Sequence, residues 1–110
     1  MSTQERIKEQ VENNNVVLYM KGTPAMPQCG FCSLAVQVLE LSGVKDFFTF
    51  NVLEDMDIRQ GIKDVNNWPT IPQVFVKGEF IGGCDILREM FETGELRDLM
   101  IDKGIELQTA

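Results

Sequence analysis

The feature that most constrains this chain is the stretch Lys21-Gly22-Thr23-Pro24-Ala25-Met26-Pro27-Gln28-Cys29-Gly30-Phe31-Cys32, together with what flanks it. Before it, Val16-Val17-Leu18-Tyr19-Met20 is a run of strand formers, apolar on both faces as in a sheet covered on both sides. After it, residues 33–41 keep a helical period. The order is strand, loop, Cys-x-x-Cys, helix, so Cys29 falls at a helix N-terminus. Unpaired backbone N–H groups and the helix dipole favour negative charge there. Such a setting lowers a thiol pKa, and the thiolate is the reactive form. In a chain without secretory features, a Cys-x-x-Cys so placed reads as a redox motif.

The rest of the chain narrows the class. Its 110 residues suit one domain, 1–110, large enough to bury a core without disulfide staples. With 10 basic and 17 acidic side chains the net charge is −7, and no local basic patch stands out. Such a surface repels phosphate backbones, which argues against nucleic acid as a partner. No apolar run is long enough to span a bilayer, and Met1-Ser2-Thr3-Gln4-Glu5 has no secretory or transit character. Three cysteines is an odd count that a disulfide framework cannot use up, so the expectation is functional thiols in a reducing, cytoplasmic compartment. A structural zinc site wants four Cys or His ligands, and the chain has no histidine.

The remaining elements follow from local signals. Ser2-x-x-Glu5 predicts a capping box opening a first helix with Ile7 and Val11 inward, ended by Asn13-Asn14-Asn15. The helix after Cys29 turns Phe31, Ala35, Val38 and Leu39 to one face and stops at Ser42-Gly43. Residues 47–52 read as a second strand. Asp55 or Asp57 caps a helix with Ile58, Ile62 and Val65 inward. Trp68-Pro69-Thr70-Ile71-Pro72 is stiff and extended, because each proline pushes its predecessor away from helix. Residues 73–76 and 79–81 flank Lys77-Gly78, a two-residue hairpin turn. Gly82-Gly83-Cys84-Asp85 leads into a helix with Ile86, Leu87, Met90 and Phe91, broken at Thr93-Gly94. A last helix over 95–103 centres on Leu96, Leu99 and Met100.

Three blocks in this order resemble the glutaredoxins, specifically the monothiol class built around Cys-Gly-Phe-Ser. They are Met20-Lys21-Gly22-Thr23-Pro24 with Pro27-Gln28-Cys29-Gly30-Phe31, then Trp68-Pro69-Thr70-Ile71-Pro72-Gln73, then Gly82-Gly83-Cys84-Asp85. The resemblance runs over nearly the whole chain. It implies an α/β, thioredoxin-like fold: a four-stranded mixed sheet with helices on both faces. One departure stands out: the class has serine where this chain has Cys32, so an intramolecular Cys29–Cys32 disulfide becomes available.

Each candidate residue carries a functional reading beside a plain one. Cys29 is the nucleophile and metal ligand, or a buried small hydrophobe. Cys32 resolves a mixed disulfide, or is a half-buried residue without a role. Lys21 and Arg59 are surface charges, or the cations that the resemblance assigns to the glycine carboxylate of glutathione. By the same resemblance the helix start at Cys84 and Asp85 takes the γ-glutamyl end, with Asp85 meeting the amine and serving as N-cap. Ile71 would pair its backbone with the ligand like an added strand, next to a Pro72 that is cis in thioredoxin-like folds. Without the resemblance that segment is a rigid turn, since most X-Pro bonds are trans. Cys84 is a backbone-donor position or a third redox thiol, and Trp68 rims the site or fills core.

Two functions follow. One is a carrier of a [2Fe–2S] cluster bridged between two protomers in a homodimer: a cluster needs four ligands, two Cys29 thiolates supply two, and the resemblance to the monothiol glutaredoxins implies two glutathiones for the rest. By resemblance, BolA-type proteins and iron–sulfur recipient proteins are its partners. The other is a glutathione-dependent disulfide oxidoreductase in which Cys29 attacks and Cys32 or glutathione resolves.

Overall fold

The structure is a computed structural model that describes residues 1–108. Helix α1 (Thr3–Asn13) starts as its sequence dictates. The Ser2 side chain accepts from the Glu5 N–H, and the Glu5 carboxylate accepts from the Ser2 N–H. Ile7 and Val11 point inward. Strand β1 (Val16–Met20) is buried at every position, as an apolar run without alternation requires.

The sheet has four strands in the order β2-β1-β3-β4. Strand β2 (Phe48–Asn51) lies parallel to β1, and the crossover between them contains α2 (Gly30–Leu41). Strands β3 (Gln73–Val76) and β4 (Glu79–Gly82) add antiparallel pairs, β3 lying between β1 and β4. Lys77 and Gly78 carry positive φ of 52° and 82°, the backbone that a two-residue hairpin turn demands. The β3–β4 register slips by one residue between Phe75↔Phe80 and Val74↔Gly82, leaving Ile81 as a bulge beside the site. Helix α1 packs on α3 (Met56–Asn66), whereas α2 packs on α4 (Cys84–Thr93), which packs on α5 (Glu95–Asp102). The two groups cover the sheet and enclose a core that includes Leu18, Tyr19, Leu39, Ile62, Val74 and Leu96. Burial of each aliphatic side chain here contributes roughly 1.5–3 kcal/mol against exposure.

Three expectations need correction. The second strand is shorter than residues 47–52, because the Asn51 side chain accepts from Leu53 N–H and turns Val52–Glu54 into a 3-10 turn. Val65 is 47% exposed rather than inward. The inward stripe runs Ile58, Ile62 and then Asn66, whose Nδ2 donates to the buried Gln73 Oε1 at 3.0 Å. Phe31 is 63% exposed. It sits in the first turn of α2, ahead of the buried positions Cys32, Ala35, Val36, Val38 and Leu39. Asp55 rather than Asp57 caps α3: its Oδ1 accepts from Asp57 and Ile58 N–H, and its Oδ2 accepts from Arg6 at 2.9 Å. Among the described residues no helix is long and apolar enough to cross a membrane.

Candidate functional site

Cys29 is the N-cap of α2, with extended backbone at φ −156° and ψ 136°. It is half-buried and packs against the core from the rim. Partial desolvation pushes its thiol up, but four groups outweigh that. They are the backbone N–H groups of Cys32 and Phe31, the Cys32 thiol and the Lys21 ammonium, and together they hold the Cys29 thiol below its ordinary value. The helix-start reading from sequence therefore acquires named donors.

Cys32 behaves oppositely. It is fully buried, and burial pushes its thiol up to about 11; the Lys21 N–H opposes that, and the Cys29 thiolate adds to it. Its Sγ accepts from the Lys21 N–H at 3.3 Å. Cys84, the first residue of α4, is also buried, and desolvation and then the Asp85 carboxylate raise its thiol. All three thiols are free.

The loop from 21 to 28 is a tied arm. Gly22 and Pro27 form a bridge, Thr23 and Met26 exchange backbone hydrogen bonds, and Gln28 N–H donates to Lys21 O at 2.9 Å. Gly22 has φ +87°, and a side chain there would stand 2.5 Å from Met26 O, so only glycine fits. The arm's entry is fastened by Asn51, whose Oδ1 accepts from Gly22 N–H at 2.9 Å.

Beside this arm a cleft of about 270 Å³ is lined by Phe31, Trp68, Thr70, Ile71, Pro72, Gly83, Cys84, Asp85 and Ile86. The structure thus brings three expected site residues, Ile71, Cys84 and Asp85, to one cavity. The Ile71–Pro72 bond is cis, as the resemblance implies. Gly83 lets the wall close up: a side chain there would meet Pro72 O and Trp68 Nε1, each at 3.2 Å. Trp68 does both of its readings, rimming the cleft and packing edge-on against Phe80 with ring centres 5.6 Å apart. Asp85 is not the N-cap. Gly83 holds that position, and the Asp85 carboxylate stands exposed in the first turn, where a helix start favours negative charge. Lys21 and Arg59 are half-buried and lie outside the cleft lining. Lys21 directly follows β1, beside the Cys29 and Cys32 thiols, and Arg59 sits in the first turn of α3. A larger depression of about 680 Å³, lined by Asn15 and residues 44–46 and 105–108, carries no thiol.

Sequence reasoning missed three supporting residues. Asn51 is one; an Asn just after an apolar strand is a capping signal. Gln73 is fully buried and donates from Nε2 to Trp68 O at 3.1 Å and Thr70 O at 3.2 Å, so it holds the cleft wall. A polar residue opening an apolar strand is the trace it leaves in sequence. Phe31 is the third, a cleft wall rather than core. Among the described residues no cluster of three His, Cys, Asp or Glu side chains within one chain is arranged for a metal.

A family model described as Glutaredoxin matches residues 16–81. Glutaredoxin-related protein 5, mitochondrial, of Danio rerio is 52% identical over 102 residues, covering 93% of this chain and 66% of that protein, so the chain spans just under two thirds of its length. A ycf64-like monothiol glutaredoxin of Synechocystis is 52% identical over 98 residues, covering 89% of this chain and 91% of that one. The solution structure of a monomeric truncated mutant of Trypanosoma brucei 1-C-Grx1 superposes with a TM-score of 0.88 at 37% identity, covering 100% of this chain and 98% of that chain.

Proposed function

The chain belongs to the glutaredoxin family, and on that premise we propose that it binds glutathione and carries a [2Fe–2S] cluster bridged between two protomers, for transfer to iron–sulfur recipient proteins. The observation that carries the reading is that each chain offers one accessible, activated thiol. Cys29 is half-buried with its thiol held below its ordinary value, while Cys32 and Cys84 are buried with thiols raised. One thiolate cannot hold a cluster that needs four ligands. A second protomer and two glutathione thiolates complete the set, which fits a donor set of one per chain. Glutathione would lie in the cleft with its backbone along Ile71, its γ-glutamyl end at the α4 start near Cys84 and Asp85, and its glycine carboxylate towards Lys21 and Arg59. BolA-type proteins are proposed partners on the same resemblance. We assign the activity to the cytoplasm, a reducing compartment that keeps three thiols free; the zebrafish relative is named as mitochondrial.

This chain's own residues do the work of holding. The N–H groups of Phe31 and Cys32 and the Lys21 ammonium keep Cys29 as thiolate, which is the ligating form. The cluster supplies the iron–sulfur cargo. The test is anaerobic reconstitution with iron, sulfide and glutathione, followed by absorption spectroscopy and mass determination of the complex. A coloured dimer containing two glutathiones is expected; a colourless monomer rejects the carrier reading.

A second reading is favoured by Cys32, whose thiol neighbours Cys29. Cys29 thiolate attacks the glutathione sulfur of a glutathionylated protein, forming a Cys29–glutathione disulfide and releasing the protein thiolate, which takes a proton. Either the Cys32 thiolate attacks Cys29 Sγ, releasing glutathione and forming a Cys29–Cys32 disulfide that two further glutathiones reduce with release of oxidised glutathione, or a free glutathione thiolate attacks the glutathione sulfur of the mixed disulfide, releasing oxidised glutathione and restoring Cys29. Turnover of a glutathionylated peptide by colourless protein would favour this reading.

A further inference from the structure

The Asn51 side chain accepts two backbone donors with one oxygen: Gly22 N–H at 2.9 Å and Leu53 N–H at 3.0 Å. The two donors belong to different segments. Gly22 opens the tied arm and directly follows Lys21. Leu53 lies in the turn that runs into Asp55, the N-cap of α3, and Asp55 O accepts from the N–H of Arg59 at 3.0 Å. Asn51 itself is fixed by the sheet, as the last residue of β2 in register with Met20. One sheet-anchored acceptor therefore joins the segment that carries Lys21 to the segment that carries Arg59.

We propose that Asn51 is a positioning residue that sets the separation of Lys21 and Arg59 and so makes the site selective for a ligand ending in a free carboxylate. The inference rests on the assignment of those two cations to the glycine carboxylate of glutathione. Long cationic side chains lose rotamer freedom when they clamp a ligand, and that cost falls if their backbones are already held at the right spacing. Gly22 has φ +87° and a side chain there would stand 2.5 Å from Met26 O, so the link between Lys21 and the arm stays a glycine whose N–H is free to meet Asn51. A neutral amide oxygen suits the task. A carboxylate at this position would accept the same two donors but would compete with the ligand for both cations.

The test compares glutathione with its glycine monoethyl ester, which lacks only the terminal charge, by calorimetry on the full chain. Three proteins are measured: the unmodified chain, Asn51→Ala, and Val11→Ala as a destabilised control distant from the site. In the unmodified chain the ester should bind about tenfold more weakly. In Asn51→Ala that ratio should fall to about threefold, chiefly through weaker glutathione binding, while Val11→Ala keeps the tenfold ratio. The proposal is overturned if Asn51→Ala keeps the full ratio, if it weakens both compounds equally, or if Val11→Ala lowers the ratio as much. Failure of the unmodified chain to bind glutathione at all would overturn the glutathione reading and this inference with it. If Asn51→Ala does not fold, amide hydrogen exchange on the unmodified chain decides. The Gly22 and Leu53 amides should gain protection together on adding glutathione, and a response from only one of them overturns the proposal.

Discussion

The backbone N–H of Lys21 donates to Sγ of Cys32 at 3.3 Å, joining the end of β1 to the first turn of α2. The contact ties the cation assigned to glutathione to the thiol that distinguishes this chain from the Cys-Gly-Phe-Ser pattern. It keeps Cys32 turned inward, so Cys29 alone faces solvent. A serine hydroxyl at position 32 would accept the same N–H, which explains why either residue suits this place in the fold.

Replacing Cys29 should abolish both proposed activities. A Cys29→Ser hydroxyl remains protonated near neutral pH and ligates iron poorly. Reconstituted protein should lack cluster absorption, and a glutathionylated peptide should not turn over. A normal cluster spectrum from this variant would remove Cys29 from its role.

Cys32→Ser separates the two readings. It should assemble a cluster in the same yield as the parent, because Cys32 is not among the four proposed ligands, and it should change stability by less than about 1 kcal/mol, since Lys21 N–H keeps an acceptor. Oxidised without glutathione, the parent should close a Cys29–Cys32 disulfide, mapped by mass spectrometry, and the variant should not. Loss of the cluster in the variant would make Cys32 a ligand, and a Cys29–Cys84 bridge in the parent would pass the resolving role to Cys84.

Alkaline stability should report the burial of Cys32. Its folded-state thiol is raised from 9.0 to about 11, so between those values the unfolded chain gives up this proton first. The native state then binds more protons than the unfolded state, and stability falls as pH rises through that window. Urea unfolding of the parent against Cys32→Ser should diverge between pH 9.0 and about 11 and run parallel near pH 7. Parallel curves throughout would show that the thiol is not desolvated.

Lys21→Glu should raise the Cys29 thiol and weaken glutathione binding together. The ammonium lowers the thiol, and reversing the charge replaces that attraction with repulsion. The pH midpoint of Cys29 alkylation should move upward, with glutathione affinity falling at least about tenfold. Unchanged affinity in folded protein would make Lys21 a bystander.

Gln73→Leu should damage the cleft more than the core. It removes the acceptor of Asn66 and the donor to Trp68 O and Thr70 O at a fully buried position. Asn66 Nδ2 keeps Ile62 O as an acceptor, so the loss falls on Trp68 O and Thr70 O and should cost about 1–3 kcal/mol. Fluorescence of Trp68, the one tryptophan, should shift to longer wavelength as its loop loosens. An unaltered spectrum with unaltered stability would show that the wall stands without Gln73.

Local chemistry made much of this legible in the chain itself. The capping box at Ser2 and Glu5, the Lys77-Gly78 turn and the unbroken apolar run of β1 each depend on a few neighbouring residues, and each appears as read. Cys29 at a helix start is likewise a local fact. The misplacements of Phe31 and Val65 share a different cause: a helical stripe marks a face, but the neighbouring layer determines how far along the helix that face is covered. Gly83 rather than Asp85 caps α4 because the chain turns into the helix two residues earlier, directly after Gly82 ends β4.

Sequence alone therefore determined the order of elements, the thiol at the helix N-terminus and the family, because these rest on short-range backbone preferences and on motifs of contiguous residues. Tertiary structure decided which thiol is exposed, which cleft the three motifs share and which polar side chains hold its walls. Cys29 and Cys32 are three positions apart on one helix start, yet burial by the sheet raises one while N–H donors and Lys21 lower the other. Asn51 and Gln73 act only on residues that the fold carries to them. Desolvation and hydrogen-bond partnership depend on what packs nearby in space, and no spacing along the chain encodes that.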